Sequence, residues 1–241
     1  MAETTKRHFP AYLDLNQRLA VVVGEGAAAE KRVRQLVRYG ADVVVVTPQP
    51  SEALIQAEAD GQITMEQRSY VRGDLAGAFV ALCVTDDSEV RRAVFDEAES
   101  LGCLVNVAGS PEYCSFVLPS IIHRDSLQIA ISTGGAAPEV ARRLRQQLDS
   151  EIGREWGAWV TLLTELRSLV LTESEDIELQ RRALEIAVRE ETFERLSLGD
   201  TLTVPLMFDK ARQERDAAEA EAAEAEAEPD VVDETEPEEG E

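Results

Sequence analysis

Three small residues at fixed spacing, Gly24-x-Gly26-x-x-Ala29, lie between a β-branched apolar run and an amphipathic stretch. That is a spacing with chemistry in it. A glycine at position 24 permits a tight turn, and one at position 26 lets an anion approach the backbone without meeting a Cβ. Alanine at position 29 lets a helix lie close to the preceding strand. A helix beginning there offers unpaired N–H groups and a partial positive charge, which suit the pyrophosphate of a dinucleotide. The place where an acid usually takes the ribose hydroxyls holds Thr47-Pro48-Gln49, and no arginine stands there for a 2′-phosphate. NAD and NADP both stay open.

The elements that must position this turn are legible around it. Leu19–Val23 reads as a strand buried on both faces, Val33, Leu36 and Val37 recur on one helical face, and Val43–Val46 is a second strand. Together they form a β-turn-helix-β unit of about thirty residues. Phe9–Leu15 reads as an apolar lead-in packed beside the first strand. A helix near Ser51, a strand at Ile63–Arg68, a strand at Val80–Val84, a helix at Ser88–Ser100 and a strand at Leu104–Val107 continue the alternation. Ligands in open α/β sheets lie at carboxyl strand ends, so Thr85 and Asp86 fall where a cofactor cleft belongs. Capping the next helix is the competing role for Asp86 or Asp87.

Composition bounds the partners. The chain of 241 residues has a formal charge of −23, and residues 213–241 alone hold fourteen acids and one arginine. An acidic surface argues against nucleic acid. No apolar stretch approaches membrane-spanning length and no leader is evident, so a soluble, cytoplasmic protein is expected. Cys83, Cys103 and Cys114 lie in or beside apolar runs without a CxxC pair, as reduced, buried thiols do. No metal site is expected from them.

After Cys114 the pattern changes. Cys114–Ile122 and Leu127–Thr133 read as a β-hairpin joined by His123-Arg124-Asp125-Ser126. A lone hairpin is marginal in water, so a second copy of the chain is the economical partner. The loop Ser132-Thr133-Gly134-Gly135 then leads into a helix, with Pro138 near its start and Arg142, Arg143 and Arg145 close together. These arginines suit carboxylates, or else form a solvated face. Residues 151–212 read as helical throughout, with Ile152, Trp156, Trp159, Val160, Leu163 and Leu166 in one stripe. Leu179, Leu184, Ile186 and Ala187 mark a second. Residues 213–228 could extend a helix, and 229–241 read as disordered.

In order, Gly24-x-Gly26-x-x-Ala29-Glu30, Thr85-Asp86-Asp87, Val105-Asn106-Val107, Pro111-Glu112-x-Cys114-Ser115-Phe116, Pro119, Ile131-Ser132-Thr133-Gly134-Gly135-x-x-Pro138 and Leu144-Arg145 resemble the precorrin-2 dehydrogenase/sirohydrochlorin ferrochelatase module of siroheme synthase. The resemblance covers residues 9–150. It implies an α/β fold: a Rossmann-type NAD(P)-binding domain (1–113), a β-hairpin dimerisation and tetrapyrrole-cleft region (114–150) and a small all-α C-terminal domain (151–212), followed by an acidic tail (213–241). It implies a homodimer that oxidises precorrin-2 to sirohydrochlorin with NAD⁺, and iron insertion in some members. The resemblance implies cofactor contacts at Gly24, Gly26, Ala27, Ala28, Pro48 and Gln49 and substrate contacts at Ser132 and Thr133; beside it, the residue reading adds Thr47 and Thr85 for the cofactor and Gly134 and Arg142 for the substrate.

One position departs from the family pattern. Where the family has an aspartate acting in both reactions, this chain has Gly109. Glycine can neither accept a proton nor ligate iron. Glu112 and His123 are the nearby titratable groups that could substitute as catalytic residues, each otherwise a turn polar. An NAD-dependent precorrin-2 dehydrogenase with weak or absent ferrochelatase is the leading reading. The alternatives are a non-catalytic tetrapyrrole- or nucleotide-binding carrier or sensor, and a regulatory nucleotide-binding module whose acidic tail recruits a partner.

Overall fold

The computed structural model describes residues 7–172 and 177–227. The chain divides into two compact units, Met1–Ser120 with Ile131–Arg143, and Ile121–Ala130 with Leu144–Glu241. Residues 1–6 and the expected disorder of 229–241 lie outside the described residues.

The first unit is built on a five-stranded parallel sheet. Its strands are β1 (Leu19–Gly24), β2 (Asp42–Val46), β3 (Ile63–Glu66), β4 (Val80–Val84) and β5 (Leu104–Val107), ordered β3-β2-β1-β4-β5. Side-chain alternation sends Ala20, Val22, Val43, Val45, Val80 and Leu82 to one face. There they meet Ala29, Val33 and Leu36 of α1 (Gly26–Arg38) and Leu54 of α2 (Glu52–Ala59). Val21, Val23, Ala81, Cys83, Val105 and Val107 face the other way, against Val94 and Ala98 of α3 (Ser88–Leu101). Covering both faces is what parallel strands require, and explains why these runs are continuously apolar.

All three cysteines are free and buried, as expected. Burial pushes the Cys103 thiol up to about 11 and raises that of Cys83. Both therefore remain protonated at neutral pH.

Three expectations for this unit need correction. The third strand ends at Glu66 rather than Arg68, because the Arg68 guanidinium turns to Asp74 in a two-bonded ion pair, 2.8 Å for each bond. The lead-in does not pack beside β1: Phe9, Tyr12 and Leu13 are exposed, and only Leu15 reaches the core. Residues 114–119 are not strand. Ser115 lies along the outer edge of β5, its N–H donating to the Val105 carbonyl (2.9 Å) and its hydroxyl accepting from the Val105 N–H (2.8 Å). These bonds occupy an edge that a strand would otherwise take.

A buried carboxylate that sequence reading passed over organises the approach to β4. Glu97 of α3 is 4% exposed, and it accepts from the N–H groups of Gly73 (3.0 Å) and Leu75 (3.2 Å) and from the Tyr70 hydroxyl. Burial, reinforced by that carboxylate, raises the Tyr70 pKa and keeps its hydroxyl a donor.

The second unit holds the hairpin and the C-terminal helices. The hairpin is β6 (Ser120–Arg124) and β7 (Leu127–Ile131), turning on Asp125-Ser126, so His123 and Arg124 belong to a strand and not to the turn. The Arg124 guanidinium donates to the Ile152 carbonyl (2.7 Å), the Asp149 carbonyl (2.8 Å) and the Asp149 carboxylate (3.0 Å). These bonds tie the hairpin to the end of α4 (Pro138–Glu151). Helical structure from 151 onward is interrupted, giving α5 (Glu155–Thr172), α6 (Ile177–Ala187), α7 (Glu190–Ser197) and α8 (Val204–Ala227). Helix α8 runs across position 213, into the Ala/Glu repeats. Leu162 and Leu166 pack on Leu179, Ala183, Ile186, Met207 and Ala211. Of the expected stripe Leu166 is buried and Leu163 packs against the same cluster, while Leu162, outside it, is buried and Trp156 is 36% exposed. Trp156, Trp159 and Phe193 cluster with ring centroids 4.6–5.8 Å apart, and the Trp159 indole donates to the Ala187 carbonyl (2.6 Å).

Replacing Glu97 by alanine strands buried donors on the segment entering β4. A loss of about 3 kcal/mol is expected, read as a fall in Tm of roughly 6–12 °C by calorimetry, with Glu97→Gln falling in between.

Candidate functional site

The carboxyl ends of β1, β4 and β5 open onto a cleft of about 620 Å³, lined by Glu25, Ala27, Ala28, Val84, Thr85, Asp86, Asp87, Arg91, Ala108 and Gly109. That volume lies within the range of ligand sites.

The two glycines of the turn do different work. Gly24 has φ +137°, and a Cβ there would lie 2.8 Å from the carbonyl carbon and oxygen of Val84. Glycine at 24 therefore permits β1 to run against β4. Gly26 has φ +69°, and a Cβ there would meet no heavy atom within 4 Å. The backbone at Gly26 is bare and faces open space. Glu25 precedes α1 in extended conformation, and its side chain makes no capping bond. The first-turn N–H groups of α1 therefore keep their hydrogen-bonding capacity. Glycine 26 and an uncapped helix start fit a pyrophosphate.

At the end of β4, Thr85 is half-buried and its hydroxyl accepts from the Asp87 N–H (3.2 Å). The Asp87 carboxylate accepts from the N–H groups of Glu89 (2.8 Å) and Val90 (3.2 Å). Asp87 is the cap, which leaves Asp86 as the solvent-facing acid. Arg91 reaches back from α3, with Nε donating to the Thr85 carbonyl (2.6 Å) and Nη2 to Asp86 Oδ1 (3.0 Å).

Thr47 is placed differently from the expectation. It directly follows β2 and is fully buried, its N–H donating to the Glu66 carbonyl (3.1 Å) and its hydroxyl without a partner among the described residues. Pro48 and Gln49, which follow it, are exposed.

Ser132, Thr133, Gly134 and Arg142 all belong to the first unit. The Ser132 hydroxyl accepts from the Gly134 N–H (3.1 Å) and that of Thr133 from the Ala137 N–H (3.1 Å), so both brace the loop. Arg142 and Arg143 are exposed and make no ion pair among the described residues. Arg145 is engaged with Asp149 (3.5 Å), which reduces the expected cluster of three to two available cations.

Glu112 is exposed in a short 3₁₀ turn, Pro111–Tyr113, and does not line the cleft. His123 lies in β6, in the other unit. Gly109 lines the cleft with φ +77°, and a Cβ there would meet nothing within 4 Å. Sequence reading missed Arg91 and Ala108. The signal for Arg91 was its spacing, one helical turn beyond a cap, which is informative only once Asp87 is known to be that cap.

Residues 11–120 match a family model described as "Putative NAD(P)-binding", and residues 124–151 match one described as "Sirohaem biosynthesis protein central". Siroheme synthase of Actinobacillus pleuropneumoniae is 34% identical over 79% of this chain and 39% of its own length. Those of Methylobacillus flagellatus and Nitrosococcus oceani are 37% and 32% identical, over 67% and 80% of this chain and 34% and 41% of their own lengths. The chain belongs to the precorrin-2 dehydrogenase/sirohydrochlorin ferrochelatase family. It spans about two fifths or less of the length of these curated relatives. A solved structure titled "SirC, precorrin-2 dehydrogenase" superposes with a TM-score of 0.71 over 86% of this chain and all of that one, at 24% identity. At that identity the likeness speaks for the fold: a Rossmann-type unit, a hairpin and C-terminal helices. Within it, residues 11–120 form the family's NAD(P)-binding domain.

The two glycines should separate packing from ligand contact. Gly24→Ala is expected to cost about 1–3 kcal/mol of stability, because its Cβ meets backbone. Gly26→Ala, with no clash, should cost only the roughly 1–2 kcal/mol of a left-handed backbone while weakening NADH affinity at least tenfold, measured by fluorescence titration beside calorimetry.

Proposed function

We propose that this chain oxidises precorrin-2 to sirohydrochlorin with NAD⁺ or NADP⁺, and that its ability to insert iron is weak or lost. The observation that carries the reading is the single cleft that both the Gly26 turn and Gly109 border. The N–H groups of Gly26, Ala27 and Ala28 hold the pyrophosphate, Pro48 and Gln49 border the adenosine ribose, and Thr85 lines the remaining wall. Ser132, Thr133 and Gly134 supply N–H and hydroxyl groups to the tetrapyrrole carboxylates, and Arg142 supplies a cation. The nicotinamide, when bound, accepts a hydride.

What this chain contributes to hydride loss is proximity and orientation, which supply the larger share of such a step. A positioned base adds typically about 10²–10⁴-fold, the share that a missing aspartate forfeits. Metal insertion is more exposed to the loss, since pyrrole protons must be taken up as Fe²⁺ enters. Glu112 and His123 are the candidates to take up part of that work. The hairpin has no third strand among the described residues, which supports a homodimer in which a second copy covers it. Among the described residues no helix is long and apolar enough to cross a membrane, and three free, buried thiols accord with a reducing cytoplasm. A second reading, a tetrapyrrole carrier or sensor without turnover, is favoured by Gly109 alone.

Under anaerobic conditions, with NAD⁺ or NADP⁺, the chain is expected to convert precorrin-2 and to stall when Fe²⁺ is added, followed by visible spectra. Gly109→Asp is expected to fold, because aspartate tolerates positive φ better than most residues and has room here. It should raise dehydrogenation on the order of 10²-fold and restore chelation. Binding of sirohydrochlorin with no conversion by either nucleotide would leave the carrier reading standing instead.

A further inference from the structure

We propose that Arg91 is a cofactor-binding residue, whose guanidinium exchanges the Asp86 carboxylate for the pyrophosphate of the dinucleotide. The inference rests on the cofactor reading of this cleft and adds a residue to it. Arg91 is the one cation among the residues lining the cleft, which otherwise presents Glu25, Asp86 and Asp87. A dinucleotide bringing two phosphate charges into that setting needs a counter-charge, and the α1 N-terminus supplies only a fraction of one.

The geometry prepares Arg91 for this role. Its Nε is held by the Thr85 carbonyl at 2.6 Å, so the guanidinium is anchored to the end of β4 and only its outer nitrogens are left to exchange partners. Arg91 is 22% exposed in its side chain, whereas Asp86, its partner at 3.0 Å, is fully solvent-exposed. A pair with one exposed member is held weakly, because water and salt compete for the exposed carboxylate. A phosphate oxygen entering the cleft would bond to a guanidinium that is already oriented, and Asp86 would return to water at little cost. Phosphate is also the better match for the planar fork of arginine. Asp86 is therefore a resident competitor for the cofactor. It holds Arg91 in place until the anion arrives.

The test uses the full chain without tetrapyrrole and three probes: NADH, ADP-ribose, which keeps the pyrophosphate, and adenosine, which lacks it. Arg91→Met is expected to lose about tenfold to a hundredfold in affinity for NADH and ADP-ribose alike, and none for adenosine. Arg91→Lys should fall between, keeping charge without the fork. Asp86→Asn removes the competitor and should bind NADH several-fold more tightly, a gain that damaged folding does not produce. Calorimetry on each variant separates any loss of the Thr85 bond from loss of ligand contact. Equal NADH binding by Arg91→Met and the unaltered chain overturns this inference alone. Failure of the unaltered chain to bind NADH or ADP-ribose overturns the cofactor reading and this inference with it.

Discussion

The ligand edge of the first unit depends on how closely β1 approaches β4 at its last residue. The parallel pairing runs to Gly24 opposite Val84, where no room remains for even one methyl group. A side chain at 24 would force the strand ends apart and tilt the start of α1, because α1 begins two residues later. The apolar faces of the sheet make the contact unavoidable. Ala20, Val22, Val45 and Ala81 are each essentially inaccessible to water, so strands cannot slide to relieve a clash without uncovering core. The position of the first N–H groups of α1 therefore follows from packing well below them.

Charge is distributed with the same economy. About half of the negative excess of this strongly acidic chain falls within the last 29 residues. Among the described residues one acid, Glu97, is buried, its carboxylate satisfied by two backbone N–H groups and a tyrosine hydroxyl. A buried carboxylate is tolerated only when its hydrogen bonds are made, and here making them fixes residues 70–75 just ahead of β4. Thus α3 holds two polar devices near opposite ends: Glu97 shapes the chain entering β4, and Arg91 is bonded to the residue leaving it.

The five parallel strands are legible in the sequence because burial on both faces leaves uninterrupted Val/Leu/Ala runs, and the glycine turn is legible because its spacing has one mechanical use. The hairpin is less so. Cys114–Phe116 reads as strand by composition, yet its hydrogen bonds go to the edge of β5 through the Ser115 side chain, a tertiary choice that periodicity does not encode. The same limit applies to Thr47, Glu97 and Arg91. Each takes its role from a partner distant in sequence or across a turn, and a pattern read along one chain carries no information about which polar side chain will be covered. The helical stripe of α5 holds at Leu166 but not at Trp156, for a related reason. The Trp156 ring finds partners in Trp159 and Phe193 near the surface rather than in the helical core.

Gly109 brings these considerations to the chemistry. Its backbone lies in the left-handed region that aspartate visits more readily than most residues, and the space beside it is open. The neighbouring Ser110 is buried and Ala108 is bonded to the carbonyl of Cys83, so the loop is anchored on both sides of the glycine. The aspartate that the family resemblance implies is thus missing from a backbone that still has the form to carry one. A change of that kind removes a proton acceptor while leaving the surfaces that align two reactants. Alignment serves hydride transfer throughout, whereas chelation must also dispose of two protons and guide a cation. On the proposed function, the two reactions of the family separate at this residue by their need for a titratable group.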